Sequence, residues 1–455
     1  MIKDGKIHLA KYAPPPPDLP VYQQMDPRDV SFIGRTNYEA PLEAKKYIFG
    51  IKRKDRRRHL YIIGKTGVGK SKLFELLMRQ DISSGNGICL IDPRGDLVNA
   101  ILDFIPEERV KDVVLVDPTD AQWPISFNPL TGVPQEMRYQ VAQGFVEAIQ
   151  KQFGANTSHR IEHVLRLSLL ALLDYPQATL QGIISILTDA QYRKNVIPHI
   201  TDDMVKRFFE IEFDDWAAKF EADAIMPIVN RIGHFASMPM LRNICIQQEN
   251  KISIDEIIET KKILLINLAK AKIGEENASF LGALFMNKIR QAGMARQTLF
   301  EEKRPEDRIK DFYLYIYEFY SVMSGSFMNL FSEARKCGLA ITVAHQYLAQ
   351  VDPAVLSTVL GNVGNIITFR LSGEDAERME SEMTPVFKAK DMINLATREF
   401  YIKETIDNET SDPFSAETLT VMPPTHPSCK EQIIDASRRK YALPLSRVKE
   451  LYYGS

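Results

Sequence analysis

Eight consecutive residues, Gly64-Lys65-Thr66-Gly67-Val68-Gly69-Lys70-Ser71, fit the pattern GxxxxGK[ST] in full. Glycines at these positions let a loop wrap a phosphate chain at backbone distance. The loop N–H groups and the start of a helix then present partial positive charge to it. Lys70 is long enough to reach β- and γ-phosphates, and the Ser71 hydroxyl suits Mg²⁺. An ordinary Gly-rich turn has the same composition. What separates the two is context, since this loop follows a β-type run and opens a helical pattern. The expected ligands are ATP and Mg²⁺.

Phosphoryl chemistry needs more than a phosphate cradle. An apolar strand ending in an acid should supply a group that orients the attacking water, and 311–318, DFYLYIYE, ends in Glu318. The residue before it is Tyr317, where a carboxylate would help hold the Mg²⁺ shell, and a neutral phenol cannot replace that charge. Asp92, closing the strand 87–92, is a tentative substitute as a metal ligand. The strand 339–345 is followed by Gln346, a polar residue able to sense a γ-phosphate and position water. Arg335, between those two strands, is a candidate to stabilise transition-state charge in a neighbouring subunit, with Arg370 second. Read without chemistry, Gln346 is a loop amide and Arg335 a solvated helix residue.

Two further patterns compete for attention. Lys52-Arg53-Lys54-Asp55-Arg56-Arg57-Arg58 carries six positive charges against one negative. It suits salt-sensitive contact with a nucleic-acid backbone, or equally a solvated or inter-subunit surface. His159-Arg160-Ile161-Glu162-His163 matches HxxEH, which on a helix would place two imidazoles on one face. A polar helix surface explains it as well.

The elements that must position these groups follow from periodicity. Short apolar runs at 59–63, 87–92 and 112–117 alternate with helical patterns, which is the rhythm of a parallel sheet covered on both faces. From 135 to 250 the pattern is helical, as in 159–174. The α/β rhythm resumes with strands at 262–268, 311–317, 339–345 and 363–371, and helices at 276–296, 324–337 and 373–383. The expected division is a Pro-rich arm (1–32), a first ATPase part (33–134), an all-α insertion (135–255), a second ATPase part (256–410) and a C-terminal extension (411–455). The first and last thirds should build one sheet.

Composition narrows the class. The chain has 455 residues, 45% of them hydrophobic and 25% charged, which excludes wholesale disorder and fibrous repeats. A formal net charge of −2 gives no bulk attraction for nucleic acid, so such contact must be local. Four scattered cysteines exclude a disulfide framework and suit a reducing compartment. No run approaches a membrane span, and the N-terminus has no apolar core like that of a signal peptide. The expected location is cytoplasmic, with recruitment to a membrane through a partner.

Several stretches, in order, are more specific than the P-loop alone: FGIKRKDRRRHLYIIGKTGVGKS, LIDPRGDLVNAILDFIPEERVKDVVLVDP with FNPL after it, FSEARKCGLAITVAHQYLAQ, and GNVGNIITFRLSGEDAERME. From about residue 33 to 420 the chain resembles the type IV secretion coupling proteins, within the HerA/FtsK-like P-loop motors. The resemblance implies a RecA-like α/β domain with an inserted all-α domain. It implies a homohexameric ring with ATP between subunits, DNA in the channel, and transport toward a secretion or conjugation pore with channel or relaxosome proteins as partners. It carries Lys70 and Ser71 over as phosphate and Mg²⁺ ligands, Glu318 as catalytic acid, Gln346 as sensor and Arg335 as a finger acting in trans. The chain departs from the family at Tyr317, where Asp is usual, at Tyr320, where Gln is usual, and in lacking an N-terminal membrane anchor. An ATP- and DNA-binding module with little turnover, or a DNA-processing motor, are the alternatives.

Overall fold

Strands covered on both faces must be apolar at nearly every position. The runs at Leu60–Ile63, Gly87–Asp92, Phe312–Tyr317 and Leu339–His345 meet that condition, and each is a strand buried at every residue. The structure, a computed structural model, describes residues 2–3, 6–7, 10–39, 46–151, 158–302, 310–323 and 325–453. Its main sheet comprises β1 (Val30–Thr36), β2 (Ile48–Lys52), β3 (Leu60–Ile63), β4 (Gly87–Asp92), β5 (Val113–Val116), β6 (Ile263–Asn267), β7 (Phe312–Tyr317), β8 (Leu339–His345), β9 (Asn365–Thr368), β10 (Glu399–Lys403) and β11 (Phe414–Thr418). The order across it is β2-β1-β11-β10-β9-β3-β8-β7-β4-β6-β5. The strands from β9 to β5 are mutually parallel, as the patterning implies. The other four form an antiparallel extension that the sequence reading did not anticipate.

Because β8 lies between β3 and β7, the three strand ends that precede the P-loop, Gln346 and Glu318 emerge side by side on one edge. Successive residues point to opposite faces. Tyr61, Ile63, Ile91 and Ile316 join one apolar cluster, and Leu60, Ile62, Leu90 and Tyr315 join another. Helices α1 (Lys70–Ser83) and α2 (Asp96–Leu102) cover the second face. Between 135 and 259 the described residues hold helices and no strand, including Arg138–Gln150 and His159–Asp174. Their buried side chains, such as Phe145, Val164 and Leu169, belong to the same cluster as Ile91 and Ile316, so the apolar interior of this segment is continuous with the first face of the sheet.

Both chain ends differ from the arm and extension expected of them. Ala10, Ala13, Leu19 and Val21 are buried. The Ala13 N–H donates to Ser415 Oγ (3.1 Å), the Tyr12 hydroxyl to Glu399 (3.1 Å) and the Gly50 N–H to Pro20 O (3.0 Å). Prolines hold this segment extended, and extension lets it lie along the antiparallel half of the sheet. At the other end, β11 inserts between β1 and β10, and helix Lys430–Tyr441 packs beside β5, where Ser437 Oγ accepts the Leu115 N–H (2.9 Å). The boundaries expected at 32/33 and 410/411 therefore fall within one sheet.

Candidate active site

β3 ends at Ile63 and α1 begins at Lys70, so residues 64–69 form the turn between a buried strand and a helix N-terminus. Two glycines show why this turn needs them. A Cβ on Gly64 would lie 2.6 Å from Phe369 Cβ, and Gly69 has φ 127°, in the region that favours glycine. The loop is tied to its neighbours through backbone. The Lys65 N–H donates to Arg370 O (3.0 Å) and the Arg398 N–H to Val68 O (2.9 Å). Lys70 is buried, and its ammonium donates to Gly64 O (2.5 Å) and Lys65 O (2.9 Å), bridging the loop from inside. Burial lowers its pKa to about 8, with the charge of Glu318 opposing that shift and Arg94 adding to it.

The groups named from the strand ends do converge. Ser71 Oγ and the Tyr317 hydroxyl are hydrogen-bonded at 2.7 Å. Gln346 bridges two motifs, its Oε1 accepting from Thr66 Oγ1 (2.8 Å) and its Nε2 donating to Glu318 Oε1 (2.7 Å). Glu318 is 1% exposed, and its Oε2 is buried without a hydrogen-bond partner. Its backbone is left-handed (φ 51°, ψ 51°), a conformation that costs a non-glycine residue about 1–3 kcal/mol. Behind it, the His345 ring accepts or donates to the Tyr61 hydroxyl at 2.6 Å, and burial lowers the pKa of this histidine to about 3, which keeps it neutral. The Gln350 side chain accepts the Gln346 N–H (3.1 Å) and so fixes the start of the loop.

Other expected residues lie elsewhere or do other work. Asp92 accepts the N–H groups of Arg94 (3.0 Å), Leu97 (2.8 Å) and Val98 (3.2 Å), so its carboxylate caps the turn into α2. Arg335 is exposed in the turn after helix Gly325–Glu333, not on that helix. It precedes β8, whereas Gln346 follows it, so Arg335 stands at the opposite edge of the sheet from its own P-loop. Arg370 touches the P-loop through its backbone carbonyl. Tyr320 lies just past Glu318, its backbone carbonyl accepting from Lys151 (3.2 Å).

The basic run is tied into the fold. Every one of its six cations has a partner within the fold: Lys52 and Lys54 meet Asp407, Arg53 and Arg56 meet the fully buried Asp81, Arg57 meets Asp311, and Arg58 meets Asn408. Arg56 also donates to Ser31 Oγ (2.9 Å) and the Tyr315 hydroxyl (2.7 Å). Arg53 and Arg56 brace α1 from beneath, while Lys54 and its partner Asp407 are exposed. In the HxxEH stretch, Glu162 pairs with Arg166 and the His163 ring packs on Phe208. Among the described residues no cluster of His, Cys, Asp or Glu is arranged to hold a metal.

Sequence reasoning missed Arg94 and Arg398. Arg94 lies 3.9 Å from Glu318 Oε1 and is the nearest cation to that acid. Its signal was available, since it sits just past the end of β4, the strand next to β7. Arg398 reaches Val68 of the P-loop from 330 residues away by backbone contact, for which the sequence carries no signal.

Residues 47–289 match the family described as helicase HerA, central domain. The chain belongs to this HerA family. The matched span takes in the P-loop and ends before Glu318 and Gln346, so the second half of the site in this HerA-family chain rests on geometry. No curated protein matches it. Among solved structures, it is similar to the bacterial conjugative coupling protein TrwBdeltaN70 in unbound form, with TM-score 0.63, 14% identity and coverage of 84% of this chain and 89% of that one. The plasmid coupling protein TrwB with ADP and Mg²⁺ gives TM-score 0.60 at 14% identity, covering 84% and 90%. VirB4 of Thermoanaerobacter pseudethanolicus gives 0.50 at 13%, covering 80% and 89%. The fold is that of the P-loop ATPases of this group. No helix among the described residues is long and apolar enough to cross a membrane.

Proposed function

We propose that this chain is an ATP-driven DNA motor of the conjugative coupling type. The observation that carries the reading is the convergence of Lys70, Ser71, Gln346 and Glu318 on one edge of the parallel sheet. Lys70 and the loop N–H groups would hold the phosphates. Glu318, with one buried oxygen open, would orient the attacking water and take its proton. Gln346 would report the γ-phosphate to Glu318 through its side chain. TrwB has been crystallised with ADP and Mg²⁺ and with an ATP analogue, which supports the same ligands here. For Mg²⁺ the residues present fit a cation carried in by the nucleotide: Ser71 offers one hydroxyl, and phosphate oxygens and waters complete the shell. That cation would neutralise phosphate charge. Because Arg335 stands away from its own P-loop, it would serve a neighbouring copy, which supports a ring, taken as a homohexamer. DNA would be gripped through its backbone, and secretion-channel or relaxosome-type proteins would recruit the motor to the inner face of a membrane.

The test is phosphate release from ATP by the full chain, with and without DNA, beside Lys70→Ala. DNA-stimulated release that vanishes in the variant is the expected result; release untouched by Lys70→Ala would rule out this site. One observation favours a second reading. The Ser71 hydroxyl is bonded to the neutral Tyr317 phenol, where a carboxylate would help hold Mg²⁺. A module that binds ATP but turns it over slowly follows from that contact. On this reading Tyr317→Asp raises the hydrolysis rate, and no rise would reject it.

A further inference from the structure

Four parallel strands end at the catalytic edge in the order β3-β8-β7-β4. The first three deliver the P-loop, Gln346 and Glu318. The fourth delivers the turn Asp92-Pro93-Arg94-Gly95-Asp96. That turn is fixed from several sides. The Asp92 carboxylate holds the Arg94 N–H and the first turn of α2. Its backbone is tied to the segment after β6, since Asp92 O accepts the Leu268 N–H (3.0 Å) and Pro93 O the Lys270 N–H (2.9 Å). Asn267 packs so closely that a Cβ on Gly95 would lie 2.6 Å from its Oδ1. A turn held this way places Arg94 beside Glu318.

Three observations single out its guanidinium. It ends a row of side chains that crosses the mouth of the site: Thr66 meets Gln346, Gln346 meets Glu318, and Arg94 Nη2 lies 3.9 Å from the same Glu318 oxygen. Its charge acts on the groups around it, adding to burial in lowering the pKa of Lys70 and working against the upward shift that burial imposes on Tyr317 and Tyr320. Its donors are also open. At 3.9 Å the contact with Glu318 is too long for a hydrogen bond, and among the described residues the guanidinium makes none. Arg53, Arg56 and Arg57 all meet their acids at hydrogen-bond distance. The Arg94 side chain is 42% exposed and that of Glu318 1%, so the arginine is the partner that can turn. A planar fork of donors without acceptors, set beside the place where phosphate oxygens must lie, matches a phosphate group. The other cations near the loop are placed differently. Lys72 pairs with Glu75 (2.7 Å), and Arg398 comes from the segment before β10, on the far side of β3.

We infer that Arg94 binds the terminal phosphate of the nucleotide held by its own P-loop, and so lets a single subunit tell a triphosphate from a diphosphate. The inference rests on the proposal that residues 64–71 bind a nucleoside triphosphate. Lys70 meets the phosphates from the loop side and Arg94 from the β4 side. The phosphate oxygens take the guanidinium in place of Glu318, and the acid is left with Gln346. This contact is made in cis, so it needs no neighbouring copy.

The experiment is calorimetric titration of the full chain with ADP and, separately, with an ATP analogue whose β–γ bridge cannot be hydrolysed, both with Mg²⁺. Arg94 is exposed, so Arg94→Ala leaves the core intact. The variant should bind the analogue roughly tenfold more weakly and ADP less than about twofold more weakly. The same substitution is then made in a Glu318→Gln chain. A direct contact with phosphate predicts the same loss there, whereas a residue that acts only through the acid predicts none. Equal weakening of the two nucleotides, weakening of neither, or a loss that disappears in the Glu318→Gln chain would each overturn the inference while leaving the P-loop reading standing. Failure of the original chain to bind either nucleotide would overturn both.

Discussion

Two charge-rich regions flank α1 and are organised in opposite ways. Beneath the helix, Arg53, Arg56 and Asp81 lie buried against one another, with Tyr315 and Ser31 completing the contacts. At the helix N-terminus, Lys70 is buried with only carbonyls around its ammonium, Glu318 keeps a buried oxygen with no partner, and the Glu318 backbone is left-handed. The first region sets opposite charges against one another and stabilises, although Arg53 Nε and Arg56 Nε are left without a hydrogen-bond partner. The second leaves polar atoms incompletely matched and stores cost that a ligand can relieve. Density of charge along a chain is therefore a poor guide to a binding site, and an acid held with an open oxygen on a left-handed backbone is a better one.

The contrast breaks most sharply at the two acids. Glu318→Gln should lower DNA-stimulated turnover by roughly 10²–10⁴-fold while ATP binding persists, and the urea midpoint should stay or rise because the charge of a buried, half-matched carboxylate is removed. A fall in midpoint without a fall in turnover would reverse the assignment. Asp81→Ala leaves two arginines buried without their counter-charge and should cost about 3–5 kcal/mol in urea unfolding. A stable Asp81→Ala protein would show the brace to be dispensable.

What was legible in the sequence follows the same division. Strands at 87–92 and 339–345 and helices at 159–174 and 373–383 were read to the residue, because both-face burial and helical period leave strong local patterns. The meeting of Glu318 and Gln346 at the P-loop follows from which strands end where, and that too is a local signal once the sheet is parallel. The antiparallel half was not legible. β11 pairs with strands from both ends of the chain, so no local pattern marks its neighbours. The brace was not legible for a related reason. The acids that neutralise 52–58 sit at Asp81, Asp311 and Asp407, and a basic heptad displays none of them locally.

Smaller effects sharpen the picture. Lys70 titrates at about 8, lowered by burial, so raising the pH through that value removes the charge that meets the phosphates. Triphosphate affinity should fall roughly tenfold between pH 7 and pH 9, read by titration at each pH. A flat profile would mean that Lys70 does not contact the ligand in its charged form. The smallest effect is expected from Arg57→Ala. Its pair with Asp311 is partly solvated, with side chains 33% and 18% exposed, and removing it should cost less than about 1 kcal/mol. A larger loss would extend the brace to the outer arginines.

The position of β11 carries a consequence for how the molecule is made. β11, made after the other strands of this sheet, has to enter between β1, made before them, and β10, made shortly before it. Until then β1 and β10 each expose an unpaired edge, and the closing contacts join residues such as Gly34 and Thr418 across nearly the whole chain. Long-range closure of this kind is slow, and open strand edges invite pairing with other chains. During synthesis this half of the sheet is thus the stretch most exposed to misassembly, whereas the parallel strands from β3 to β8 have all been made before β10 appears.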